Sequence, residues 1–270
     1  FITQPAISKC IQSLERHLGA PLFDRIGKKV YLTEAGTLLI ERAETMLQLA
    51  KDTEKEIFNL HDTISGRLNL ATSHHIGLHR LAPVLKNFSQ RYPDVLLDIQ
   101  FEDSEVAYQM VRSGQVELAV VTLNPVETDL DADLIAKLVW HDPLVFVSTA
   151  ANLRIDTMQK LAEHPCILPG LATYTGRIVL DRFAQAGIAL KPTLSTNYLE
   201  TIGMLVSVGL GWSVLPQSMI GDLDALEVDC DPISRSLGSV INGKRTLSNS
   251  ASAFLTVLED YIAEDAVADF

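Results

Sequence analysis

At 270 residues the chain exceeds one average domain, and a scale of roughly 150 residues per domain suggests about two. Hydrophobic residues make up 47%, enough for a core, which argues against general disorder; no stretch approaches the ~20 apolar residues of a membrane helix. The net charge of −12 counts against a nucleic-acid partner only if it is spread evenly. It is not. Residues 1–33 hold Lys9, Arg16, Arg25, Lys28 and Lys29 against Glu15 and Asp24, an excess of three positive charges. The acidity lies downstream, in Asp129–Asp133 and Glu259–Asp269. A basic head on an acidic body suits a DNA-reading module joined to a part that must not adhere to DNA. Gln4, Pro5, Ser8 and Lys9 interrupt any signal-peptide pattern. Cys10, Cys166 and Cys230 are odd in number and form no CxxC pair, which favours a reducing cytoplasm.

The spacing predicts a first helix from Gln4 to about Leu18. Thr3 would be its N-cap, Pro5 lies in the first turn and Gly19 is placed as a C′ glycine. Ile7, Ile11, Leu14 and Leu18 share one face, which leaves Gln4, Ser8, Lys9, Gln12 and Arg16 on others. Leu22 to Leu32 reads as a short basic hairpin around Gly27-Lys28-Lys29. A second helix starts after Thr33 and runs without proline to about Asp62. Leu39, Ala43, Met46, Ala50, Thr53, Ile57 and Leu60 form a heptad seam along it, as for a helix-helix dimer. Thr63–Gly66 breaks the pattern and reads as a hinge.

From Arg67 onward strands and helices alternate, as in α/β units with largely parallel sheets. Expected strands are Leu68–Ala71, Val95–Phe101, Leu118–Thr122, Leu144–Ser148, Leu190–Ser195, Trp212–Leu215 and Leu237–Ile241. Expected helices are Leu78–Arg91, Glu105–Ser113, Gly176–Ala186, Tyr198–Val208 and Ser248–Ile262.

The run Thr3-Gln4-Pro5-Ala6-Ile7-Ser8-Lys9, with Leu14-Glu15 and Leu18-Gly19, resembles the recognition-helix signature of LysR-type transcription regulators. The likeness continues through Leu22-Phe23-Asp24-Arg25 and Leu32-Thr33-Glu34-Ala35-Gly36. Further on it includes Tyr92-Pro93, Glu117–Val120 and Val208–Pro216. The resemblance implies a partial winged helix-turn-helix (1–33), a linker and dimerisation helix (34–62), a hinge (63–66) and an effector-binding domain (67–265). The family's first helix is expected to precede Phe1, so the chain reads as a fragment. The effector domain would be α/β, two-lobed and periplasmic-binding-protein-like, of type 2. Lobe I would take 67–142 and 238–265, and lobe II 143–237, with crossovers near Asp142–Phe146 and Leu237–Val240. Homodimers or homotetramers are also implied.

A helix in the major groove reads base edges with short polar side chains near its N-terminus. On that reading Gln4 and Ser8 face the bases, while Lys9, Gln12 and Arg16 hold phosphates, and Pro5 belongs to the same DNA-binding surface. Arg25, Lys28 and Lys29 approach phosphates or the minor groove. Ligands of open α/β sheets bind beyond strand ends, where helix N-termini offer N–H groups. Ser73, His74, His75, Ser104, Thr122, Thr173, Thr175 and Asn197 fall at such points and are the expected contacts to a small polar or anionic metabolite. A protonated His75 would make that affinity rise as pH falls from about 8 to 6. Any one of these hydroxyls is more often an ordinary helix cap; it is the convergence of five such clusters on one cleft that points to a binding site. His75 and His79 are spaced i, i+4, but no carboxylate or cysteine shares their segment, so no metal or other cofactor is expected. Neither GxSxG, HExxH nor a Walker loop occurs, which argues against an enzyme. The rival reading is a free solute-binding protein, which would need a secretory leader where the recognition helix stands.

Overall fold

The computed structural model describes residues 3–27, 29–61, 63–126, 132–149 and 155–268, with the side chains of Arg25 and 264–268 left aside. The expectations on Lys28 and Asp62, and most of the acidic run Asp129–Asp133, lie outside the described residues. Two compact units divide at Leu60/His61.

In the first unit, α1 (Gln4–Leu18) carries Pro5 in its first turn and ends on Gly19 at φ 69°, a left-handed C-cap. Thr3 is extended but makes no side-chain cap bond, contrary to the expectation; its carbonyl accepts from the Ile7 N–H instead. β1 (Phe23–Ile26) and β2 (Lys29–Leu32) form an antiparallel hairpin. Thr33 then caps α2 (Glu34–Asn59): its Oγ1 accepts from the Gly36 N–H at 3.0 Å and donates to the Pro21 carbonyl at 2.7 Å. Gly36 is required here, because a Cβ would stand 2.1 Å from the Leu22 carbonyl oxygen. Leu22 is buried under this corner, and its N–H donates to Glu15 at 2.8 Å.

The second unit is built on one seven-stranded sheet in the order β10-β6-β11-β5-β3-β4, with β9 also on β6. Its strands are β3 (Gly66–Thr72), β4 (Val95–Phe101), β5 (Leu118–Thr122), β6 (Leu134–Ser148), β9 (Ser213–Pro216), β10 (Asp224–Ala225) and β11 (Ile233–Asn242). Within this sheet only β3 with β4 and β5 pairs in parallel, and β11 and β6 run antiparallel to their neighbours; apart from it, Ile167–Leu168 pairs in parallel with Leu194–Ser195. The expectation of largely parallel sheets therefore fails at β6 and β11, whose pairings are all antiparallel. The reason is that β6 and β11 are long strands that pass through both lobes, a register slip at Leu237/Gly238 marking the passage.

Lobe I buries Leu68, Leu70, Phe88 and Leu118 against Phe254 and Val257 of α9 (Asn249–Ala268). It also carries a helical segment that runs from α3 (His74–Ile76) through a π turn (Gly77–Leu81) into α4 (Ala82–Arg91). α5 (Ser104–Ser113) completes it. Lobe II adds α6 (Met158–Ala162), β7 (Ile167–Leu168), α7 (Tyr174–Gln185), β8 (Leu194–Ser195) and α8 (Leu199–Ser207). Its core centres on Phe183 stacked on Trp212 with Phe146 edge-on, and the Trp212 Nε1 donates to the Leu161 carbonyl at 2.8 Å. The expected strand Leu190–Ser195 shrinks to two residues, because Pro192 cannot donate to a ladder.

Candidate DNA surface and effector cleft

On α1, Gln4, Pro5, Lys9, Gln12 and Arg16 are exposed and Ser8 is half-buried. At 100° per residue these six fall on one arc of roughly 140°, beside the apolar arc of Ile7, Ile11, Leu14 and Leu18. Such an arc can enter a groove and leave the apolar side for a neighbouring element. Ile7, Leu14 and Leu18 remain 40–48% exposed. Lys29 is exposed on the hairpin; Arg25 is in β1, with its side chain outside the description.

In the second unit, seven of the eight expected contacts meet. Ser73, His75, Ser104, Thr122, Thr173, Thr175 and Asn197 line one cavity of about 40 Å³ between the lobes. His74 is the exception. Its ring is exposed and packs against Phe101 and Tyr198, at centroid distances of 5.1 and 4.9 Å. Adjacent side chains on a helix point about 100° apart, so His74 cannot share the direction of His75.

The strongest groups in the cavity were not foreseen. Arg235, on β11 and fully buried, donates from Nε to Asp142 at 2.8 Å and from Nη1 to the Thr175 hydroxyl at 2.9 Å. Asp142 of β6 also meets Arg80 at 3.3 Å. Burial pulls the Arg235 guanidinium below its ordinary pKa, and Asp142 opposes that pull. A signal was present: Arg235 lies two residues from both Ile233 and Leu237, on the buried parity of its strand. Asp103 and Glu105, at the start of α5, also line the cavity.

The hydroxyls are more engaged than expected. Thr173 caps α7, accepting from the Gly176 N–H at 3.1 Å and donating to the Gly170 carbonyl at 2.7 Å. Asn197 accepts from the Gly170 N–H at 2.9 Å and donates to Asp103 at 2.5 Å. Ser104 Oγ accepts from the Thr122 N–H at 3.1 Å. His75 Nδ1 lies 3.3 Å from Ser73 Oγ, and its buried Nε2 has no hydrogen-bond partner among the described residues. Desolvation first, then the charge on Arg235, pushes the His75 pKa well below 6.5. Against the expected imidazolium, burial and the Arg235 charge both favour the neutral ring, a hydrogen-bonding group and not a cation.

Among the described residues no three His, Cys, Asp or Glu side chains gather as a metal would require, and no helix is long and apolar enough to cross a membrane. His79 is instead within 3.1 Å of Glu200.

The family model described as the LysR substrate binding domain matches residues 61–263, and the bacterial regulatory helix-turn-helix protein, lysR family, matches 1–37. The chain belongs to the LysR family. A "Probable RuBisCO transcriptional regulator" of Nostoc is 30% identical over 267 residues, spanning 94% of this chain and 79% of that protein. An uncharacterized HTH-type transcriptional regulator in the ibpB-leuC intergenic region of Azotobacter vinelandii is 56% identical over 82 residues, 30% of this chain and 57% of that protein. The Synechocystis CcmR regulatory domain, solved in complex with 2-PG, superposes with a TM-score of 0.65 at 22% identity, covering 73% of this chain and 98% of that one. This chain is therefore a LysR-type DNA-binding transcription regulator with an effector-binding domain, in a family of regulators and not of enzymes.

Proposed function

We propose that a small polar or anionic metabolite, bound between the lobes, governs DNA reading by the arc on α1 and the basic hairpin. One observation carries the effector half: a buried guanidinium, a neutral imidazole with an unpartnered nitrogen and a set of hydroxyls converge on one interlobe cavity. A fixed cation in a desolvated cleft favours a carboxylate. The CcmR relative, bound to 2-PG, supports a small-metabolite reading. The division into 1–33, 34–62, 63–66 and 67–265, with its lobe limits, belongs to the same proposal. So does cytoplasmic residence.

Assembly through α2 is also part of it. Met46, Ile57 and Leu60 of the heptad seam are 60–81% exposed, and a bare apolar seam of this length is covered in a helix pair. Homodimers, and tetramers through a second contact, follow from it.

The test is a thermal-shift screen of the chain against small carboxylates, followed by operator binding with each hit. A ligand that binds only the native state raises the transition temperature by mass action. A hit whose shift survives Arg235→Met would place the effector outside the cavity.

A further inference from the structure

We propose that the N-terminus of α7 is the carboxylate subsite of the cleft and that Glu105 fills it in the ligand-free protein, so that a ligand's single carboxylate enters by exchange with that of Glu105. The proposal rests on the cleft being the effector site. Glu105 stands in the first turn of α5 in lobe I, and its Oε1 accepts from the backbone N–H of Tyr174, the first residue of α7 in lobe II. Asp103 does likewise, accepting from Asn197 Nδ2. Lobe I thus sends two carboxylates across the cleft to donors of lobe II.

The helix terminus is not the only sign of a ligand. His75 Nε2, buried and belonging to a residue that lines this cavity, has no hydrogen-bond partner among the described residues, whereas Arg235 Nη2 is held by Asp142 at 2.8 Å. Buried polar groups are as a rule satisfied, and an orphan imidazole nitrogen at the cavity marks the place of an absent partner. A cavity of about 40 Å³ has room for little more than a few waters. A metabolite therefore needs space that something must vacate, and the Glu105 carboxylate is the occupant of matching chemistry. Exchange leaves the charge of the site unchanged. Adding a further carboxylate beside Asp103, Glu105 and Asp142 would set like charges together in a poorly hydrated cleft. Burial, aided by Asp103, already raises the Glu105 pKa, as for a carboxylate held against a desolvation cost. The site is accordingly matched to a compact monocarboxylate and matched poorly to a dianion.

The experiment uses the full chain and acetate, the fragment that Glu105→Ala removes. Amide hydrogen exchange is followed at Tyr174. Glu105→Ala should speed that exchange about 10- to 100-fold, the loss of one charge-assisted hydrogen bond. Acetate at roughly 50 mM, enough for a millimolar site, should restore protection in the variant and leave wild type unchanged; chloride of equal ionic strength should not. Glu105→Gln, which keeps the shape without the charge, should be deprotected less and not be rescued. Unchanged exchange in Glu105→Ala, or deprotection that acetate fails to reverse while tryptophan fluorescence reports a folded unit, would overturn the proposal. Failed rescue alongside a carboxylate hit that needs Arg235 would end the exchange and leave the cleft standing. Rescue without any carboxylate hit would end the effector reading and leave the subsite.

Discussion

Removing the charge of Asp142 should destabilise the effector unit more than removing Arg235, its buried partner. Asp142 is 3% exposed and Arg235 1%, with 2.8 Å between them, while Arg80 is 29% exposed and reaches the other Asp142 oxygen at 3.3 Å. Asp142→Asn therefore leaves one fully buried cation beside a second, with nothing to balance them. Breaking a buried pair from one side costs about 3–5 kcal/mol. At roughly 2–4 °C per kcal/mol for a unit of this size, the transition should fall by about 6–20 °C. Arg235→Met instead leaves Asp142 paired with Arg80, so the loss should be nearer 1.5–3 kcal/mol, roughly that of hydrogen bonds to a charged group. Asp142→Leu combined with Arg235→Met should recover most of the deficit, because the remaining Arg80 can hydrate. Both tryptophans, Trp140 and Trp212, lie in the effector unit, so their fluorescence during urea unfolding reports that unit alone. A loss under about 1 kcal/mol for Asp142→Asn, the range of a surface pair, would refute the reasoning. So would a double variant no better than Asp142→Asn.

Three further outcomes are expected. In a chain that carries the complete helix-turn-helix, Gln4→Ala and Ser8→Ala should each cost about 1–3 kcal/mol on the specific operator with little change on random DNA, whereas Lys29→Ala should weaken both and flatten the salt slope by about one; gel-shift titrations at several salt concentrations separate the two, and equal losses for Gln4→Ala on both DNAs would end its base-reading role. The folded pKa of His75 is depressed below 6.5, so the unfolded chain takes up the proton first and stability is lost as pH falls below about 6.5; thermal melts from pH 8 to 5.5 should show a shallower acid decline for His75→Gln, and an identical decline would mean that His75 is protonated in the fold. Met46→Glu places a charge on the exposed seam of α2 and should dissociate assemblies held there; sedimentation that finds wild type monomeric at micromolar concentration would remove the seam as an interface.

The local rules worked where the chain satisfies its own backbone. Val95–Phe101 and Leu118–Thr122 were legible to the residue as apolar runs bounded by turn formers. The end of α1 followed from Gly19. The rules failed where a neighbour supplies the reason. Only the last five residues of β6 were foreseen: Leu134–Trp140 is apolar but for Lys137, and His141-Asp142-Pro143 separates that run from Leu144–Ser148. Its pairing partner β11 defines it instead, over ten residues of register. α6 has five residues, too few to display a helical period, and β7 two, between Cys166 and Pro169.

The site divides along the same line. Polar side chains at strand ends and helix starts were legible because such a position is a local property, and seven of the eight expected, five of them hydroxyls, meet at one cavity. The charges were not, because each takes its meaning from a residue far along the chain: Arg235 from Asp142, Glu105 from Tyr174, His75 from Arg235. This also resolves an apparent conflict, since a protein of net charge −12 should repel a carboxylate. Long-range repulsion between exposed charges is screened within about 10 Å at ordinary ionic strength, whereas Arg235 acts from inside the cleft, where screening is weak. Asp142 offsets the Arg235 charge, and Arg80 offsets part of that of Asp142. The Arg80–Asp142–Arg235 cluster thus keeps one net positive charge on its side of the cavity, facing Asp103 and Glu105, without the full cost of a lone buried cation.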